Sequence, residues 1–223
     1  MRLFSALLAA TLTLILFTGC EDDQESNLFK AQSCIDTADA NTVSECASFL
    51  SGDTSKRSYV LQCSIAFVSE GITETAIVNA LENIDKQGEA SDPTISAISA
   101  LAMTDSTTST AALNVCTQSG SKALIALANF ANLATATASL AGILANPTEA
   151  AIQSFLDSYN PATDASELGA AVIASQDSLC NSTNGLMKGT ETCENIDQAV
   201  AAGGGDADSI ADALLSNLNN PNN

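Results

Sequence analysis

From Ala123 to Pro147 the chain reads ALIALANFANLATATASLAGILANP, a stretch without one charged side chain. So long an apolar run has to be covered, either by protein or by lipid. Its polar side chains favour protein. Asn129, Asn132, Thr135, Thr137 and Ser139 would each need a polar partner in hydrocarbon, whereas alanine and threonine at this density suit a helix, or a helix pair, at the centre of a bundle. A membrane-inserting or pore-like element is the lesser reading. The small-residue spacing also suits tight helix association between subunits, so a homo-oligomer is compatible with it.

The remainder of the chain must supply the cover. Hydrophobic residues make up 46% of the 223, but aromatics only 4%, with no Trp and no His, so the core has to be built from Ala, Leu, Ile and Val at close backbone approach. Alanine is the best intrinsic helix former, and the β-branched and aromatic residues never gather into alternating runs. The pattern predicts an all-α fold, either an orthogonal multi-helix bundle or an irregular helical-hairpin array, stabilised by disulfides.

Breakers cut the chain into short helical units. Helices are predicted from Asn27 to Thr37, from an Asn41 cap to Leu50 before Ser51-Gly52, and from Thr54 to Glu70 before Gly71. In the third, Tyr59, Cys63, Phe67 and Val68 recur at helical spacing, with Leu61 and Ile65 beside them. Thr73 opens a unit striped by Ile77, Leu81 and Ile84, and Asp92-Pro93 introduces another from Thr94 to Met103. The polar run Thr104 to Thr110 reads as a connector before Ala111 to Cys116. Further units run from Thr148 to Tyr159, from Ala165 to Cys180, from Glu191 to Ala202 and, after Gly203-Gly204-Gly205, from Asp206 to Leu218. Helix length and alanine-rich packing are similar to the tetratricopeptide-like class, but its repeat signature of roughly 34 residues is absent, so no peptide-binding positions carry over.

The amino terminus, MRLFSALLAATLTLILFTGC, joins a basic start, an apolar run from Leu3 to Thr18 and the small pair Thr18-Gly19 to Cys20. It resembles the signal of a bacterial lipoprotein over Leu16 to Cys20, with Phe17 where leucine is commonest. The apolar run falls short of the roughly 20 residues a spanning helix requires, as a processed segment would. The resemblance implies cleavage before Cys20, a diacylglyceryl thioether on it and, in many species, a further acyl chain such as palmitate on the new amino terminus. Two or more chains anchor stably where one is marginal. The implied organisation is a cleaved signal over 1–19, a lipidated acidic tether over 20–27, a single helical domain over 28–218 and a flexible tail over 219–223. Acids just after the cysteine resemble an inner-membrane retention signal, but that rule differs among bacteria; the outer membrane is favoured, with the domain in the periplasm or at the cell surface.

Six cysteines follow Cys20: Cys34, Cys46, Cys63, Cys116, Cys180 and Cys193. An even set in an exported chain implies structural disulfides, and the sequence leaves the pairing open. Cys180 and Cys193 flank a polar link that lets two helices turn back on each other. Cys34, Cys46 and Cys63 fall on three successive helices, which suits one local pair and a third reaching Cys116. No Cys-x-x-Cys and no His are present, so neither a metal site nor a thioredoxin-like redox motif is predicted.

Charge and inventory exclude whole classes of function. Twenty-six acids face seven basic side chains, a net charge of −19, and no basic run exists along the sequence to neutralise phosphates, so nucleic acid is excluded and membrane attachment falls to the lipid. Without His, no Ser-His-Asp triad can be assembled, and aromatic platforms for sugars are scarce. Glu74, Glu82 and Asp85 share one helix face but read as solvent-facing acids. Asp206 and Asp208, after three glycines, hint at calcium ligation but read better as an acidic helix start. The expectation is a non-enzymatic protein with no cofactor, held on the bilayer through acylated Cys20 and serving as a protein-binding or assembly component of the bacterial envelope. The alternative is a helical module for a small or lipidic ligand.

Overall fold

The computed structural model describes residues 23–78, 93–161, 164–181 and 187–219, and within these the chain is helical with no strand. In order, α1 is Asp23–Ile35, a 3₁₀ helix η1 is Val43–Leu50, α2 is Lys56–Ser69, α3 is Pro93–Leu101, α4 is Ser106–Ser119 and α5 is Lys122–Leu140. Then come α6 at Glu149–Ser158, α7 at Ser166–Ser175 extended by a π turn over Gln176–Cys180, α8 at Glu191–Gly203 and α9 at Ala207–Asn219.

The charge-free stretch becomes the hub. It forms one helix, α5, which ends where Gly142 takes a left-handed φ of 67°. The helix is long and apolar enough to cross a membrane by composition, yet most of it is buried within the fold, and α3, α4 and α7 all pack on it. Its polar side chains turn to backbone partners. Thr135 Oγ1 donates to the Ala131 carbonyl at 2.7 Å and accepts from the Met103 N–H at 2.9 Å, so one hydroxyl satisfies a buried amide just beyond the end of α3. Thr137 Oγ1 donates to the Leu133 carbonyl and Asn129 Nδ2 to the Ile125 carbonyl, while Asn132 Oδ1 accepts from Ser109 of α4. Ser175 of α7 donates to the carbonyl of Asn129.

Around this hub α4 pairs with α2, α7 with α9, and α8 with α9. The last pairings need glycine. A Cβ on Gly169 of α7 would lie 1.9 Å from the Ala207 carbonyl oxygen, and one on Gly203 would lie 2.3 Å from Ile210 Cγ1. The α8–α9 corner closes over Gly204 and Gly205, both at positive φ, as the glycine triplet predicts, although α8 itself takes in Gly203.

Helix α2 has two buried faces. Cys63 and Phe67 join the main core, whereas Leu61 and Ile65 join a second, smaller cluster with Ala31, Val43, Cys46 and Leu50, and Val68 packs against that cluster rather than with Phe67. Five of the six positions picked out by helical spacing are thus divided between two cores, and Tyr59 belongs to neither cluster.

Several boundaries move. The segment expected as a connector over Thr104 to Thr110 is helical from Ser106, because the Asp105 carboxylate caps α4 by accepting from the Thr108 N–H at 2.8 Å. Asn41 does not cap η1; Asp39 accepts from the Asn41 and Thr42 amides instead. Helix α1 starts at Asp23, so residues 23–27, assigned to the tether, are its first turns; acids there favour the helix dipole. Asn219, assigned to the tail, is the last residue of α9. Thr73 does cap its unit, accepting from the Ala76 N–H, while Leu81 and Ile84 lie outside the described residues.

Candidate functional site

The six cysteines form three pairs: Cys34–Cys46, Cys63–Cys116 and Cys180–Cys193. The first staples α1 to η1, the second joins α2 to α4 in the main core, and the third closes the link between the π turn and α8. Cys63 and Cys116 are fully buried. Cys20 lies outside the described residues.

Five of the described aspartates accept hydrogen bonds from neighbouring amides and hydroxyls. Hydrogen bonds from the Thr42 hydroxyl and the Asn41 amide hold Asp39 below the usual carboxylate range, the Ser55 amide does so for Asp53, and the Thr108 amide for Asp105. The hydroxyls of Ser166 and Ser209 do the same for Asp164 and Asp206. A general acid at neutral pH needs the opposite shift. The Asp206 and Asp208 pair is divided: Asp206 caps α9 through Ser209, whereas Asp208 accepts from the Ala165 N–H at 2.9 Å and fixes the start of α7. Among the described residues no three His, Cys, Asp or Glu side chains converge as metal ligands. Glu74 is exposed, and Glu82 and Asp85 lie outside the described residues.

One half-buried contact joins the end of α6 to α9. Tyr159 Oη donates to Asp212 Oδ1 at 2.5 Å, and its ring stands edge-on to Phe155 with centroids 5.4 Å apart. Burial first, and then the Asp212 carboxylate, push the phenol well above its ordinary value, so Tyr159 stays protonated and acts as a donor tying two helices together.

Two grooves among the described residues lie along α1. On one side Leu28, Phe29, Val60 and Leu61 line an apolar groove of about 370 Å³, closed at its rim by Glu25 and Arg57, whose Nη1 stands 3.6 Å from Glu25 Oε1. Both partners are well exposed, so this pair orients side chains more than it stabilises the fold. On the other side Gln24, Asn27, Phe49 and the turn from Ser51 to Ser55 line a polar groove, where Gln24 Nε2 donates to Asp53 Oδ1 at 2.8 Å. Phe29 is 76% exposed, the most of any large hydrophobic side chain described. Sequence reading passed over these residues. The available signal was Leu28-Phe29 on an otherwise polar first helix, but the groove needs Val60 and Leu61 from α2, whose proximity no local pattern discloses.

Both grooves open to solvent along one edge, and their charged rims suit a surface contact better than enclosure of a small molecule. Set against known protein families, curated proteins and solved structures, the chain has no match in any of the three.

Proposed function

We propose that this chain is a lipid-anchored extracytoplasmic protein of the bacterial envelope that works as a protein-binding or assembly component rather than as an enzyme. One observation carries the reading. The six cysteines of the folded part pair with one another, which suits an oxidising compartment and leaves the seventh, Cys20, for a different chemistry at the end of an apolar signal. Acylation of that residue would confine the domain to the plane of the membrane. There an acidic, alanine-rich body stays soluble and presents its helical surface to a partner.

The five aspartates described above support the non-enzymatic half of the proposal, since hydrogen bonds from neighbouring amides and hydroxyls hold them ionised, the opposite of what a general acid needs. The experiment is fractionation of cells expressing the chain and its Cys20→Ser variant, followed by cross-linking in native envelopes. The wild-type chain should sediment with membranes and enrich one envelope protein, and the variant should be released. A variant that stays in the membrane fraction would overturn the anchor, and a wild-type chain that cross-links to nothing would overturn the assembly role.

A further inference from the structure

We propose that the groove between α1 and α2 rests on the bilayer, with Phe29 seated in the interfacial layer and the flanking cations facing lipid phosphates. This rests on the anchoring reading above. Its first support is the length of chain between anchor and fold. Cys20 precedes Asp23 by three residues, which even fully extended span only about 11 Å. Phe29 lies six residues further on, about 9 Å along the helix. An acylated Cys20 therefore keeps the most exposed large apolar side chain of the described structure close to the membrane whichever way the tether runs.

The second support is charge. Five basic residues fall in the described structure, and four of them gather at this end: Lys30 beside Phe29 on α1, Lys56 and Arg57 opening α2, and Lys122 opening α5. The ammonium of Lys56 lies against Gly120, 3.4 Å from where a Cβ would sit, two residues before Lys122. Arg57 beside Glu25 of α1, and Lys56 reaching to the turn before α5, thus place positive charge at the anchor-bearing end of an otherwise acidic protein. Of the acids on the neighbouring elements, Glu25 pairs with Arg57 and Asp53 accepts from Gln24 and Ser55, whereas Glu21 and Asp22 follow the anchor directly and Asp23 opens α1, so the cations act from the folded part and not from the tether. A second copy is the poorer occupant, because it would bring two chains of net charge −19 face to face. Phosphate headgroups above an apolar layer match an exposed phenyl ring whose groove carries Arg57 at its rim, with Lys30 next to it in sequence.

The chain has no Trp, so Phe29→Trp in the full, acylated protein creates a single reporter. Val78→Trp, at an exposed site beyond the far end of α2, serves as the control. Each variant is reconstituted into vesicles of phosphatidylethanolamine and phosphatidylglycerol containing acyl-brominated phosphatidylcholine, with the amino-terminal peptide weighed by mass spectrometry. Bromolipid should quench the reporter at position 29 at least about twofold more than that at 78, as expected of a ring placed in the interface. Equal quenching in acylated protein overturns the docking alone, as does an emission shift at position 29 that follows protein concentration instead of lipid. A peptide without acyl chains overturns the anchor and the docking together.

Discussion

Replacing Cys63 and Cys116 together by alanine should be the most damaging disulfide deletion in the molecule. The pair is separated by 53 positions, against 12 and 13 for the other two. Chain-entropy scaling then assigns about 4 kcal/mol to its constraint on the unfolded chain, compared with about 3 kcal/mol for each of the others. Burial widens the gap. Both sulfurs lie in the main core with no exposure, whereas Cys34 is only half-buried, so the deletion also leaves a void worth about 1 kcal/mol. The sum, about 5 kcal/mol, compares with a total stability of about 5–15 kcal/mol for an ordinary domain. Urea unfolding followed by far-ultraviolet circular dichroism measures this directly. The midpoint should fall furthest for the Cys63/Cys116 variant, and the denaturant slope should rise because the freed chain exposes more surface when unfolded. A loss no greater than that of the Cys34/Cys46 double variant would refute the reasoning.

Gly169→Ala should cost about 2 kcal/mol or more, because the added methyl meets the Ala207 backbone and not a side chain that can swing away. A thermal melt unchanged from wild type would show that α7 and α9 do not approach this closely. Acid should unfold the protein in a defined window. The five hydrogen-bonded aspartates are held below their ordinary value of 3.8, so the stability they give is complete above it and is lost as pH falls through their folded values. With no His in the chain, melting temperature should stay flat from about pH 5 to 8, and a step near pH 6.5 would contradict this. At the alkaline end Tyr159 acts in the opposite sense: its contribution is present below the ordinary 10.0 and is lost as pH rises beyond it.

The helical class was legible because alanine density and regular breakers leave little else to build. Burial of α5 was legible for a related reason, since Asn129, Thr135 and Thr137 have no place in lipid without partners; the partners themselves, the Ala131 and Leu133 carbonyls and the Met103 amide, required the fold. Local pairing of Cys180 with Cys193 follows from a short polar link, but Cys63 with Cys116 depends on α2 and α4 packing side by side, a long-range fact. The Thr104 to Thr110 error is instructive. Serine and threonine favour turns when isolated, but behind a capping Asp105 they propagate a helix, with Ser109 buried against Asn132. The groove beside α1 was illegible because its walls come from helices about thirty positions apart.

The division of α2 between two cores has a mechanical consequence. A pull on the amino terminus passes along α1, crosses the Cys34–Cys46 bond into η1, and is shared with α2, on which both α1 and η1 pack. There the load passes into α4 through the Cys63–Cys116 bond, which takes the intervening fifty-three positions, roughly 180 Å of contour length, out of reach of stretching. While these two bonds hold, most of the first half of the chain cannot be drawn out as thread, and tension spends itself on packed helices held in series by sulfur.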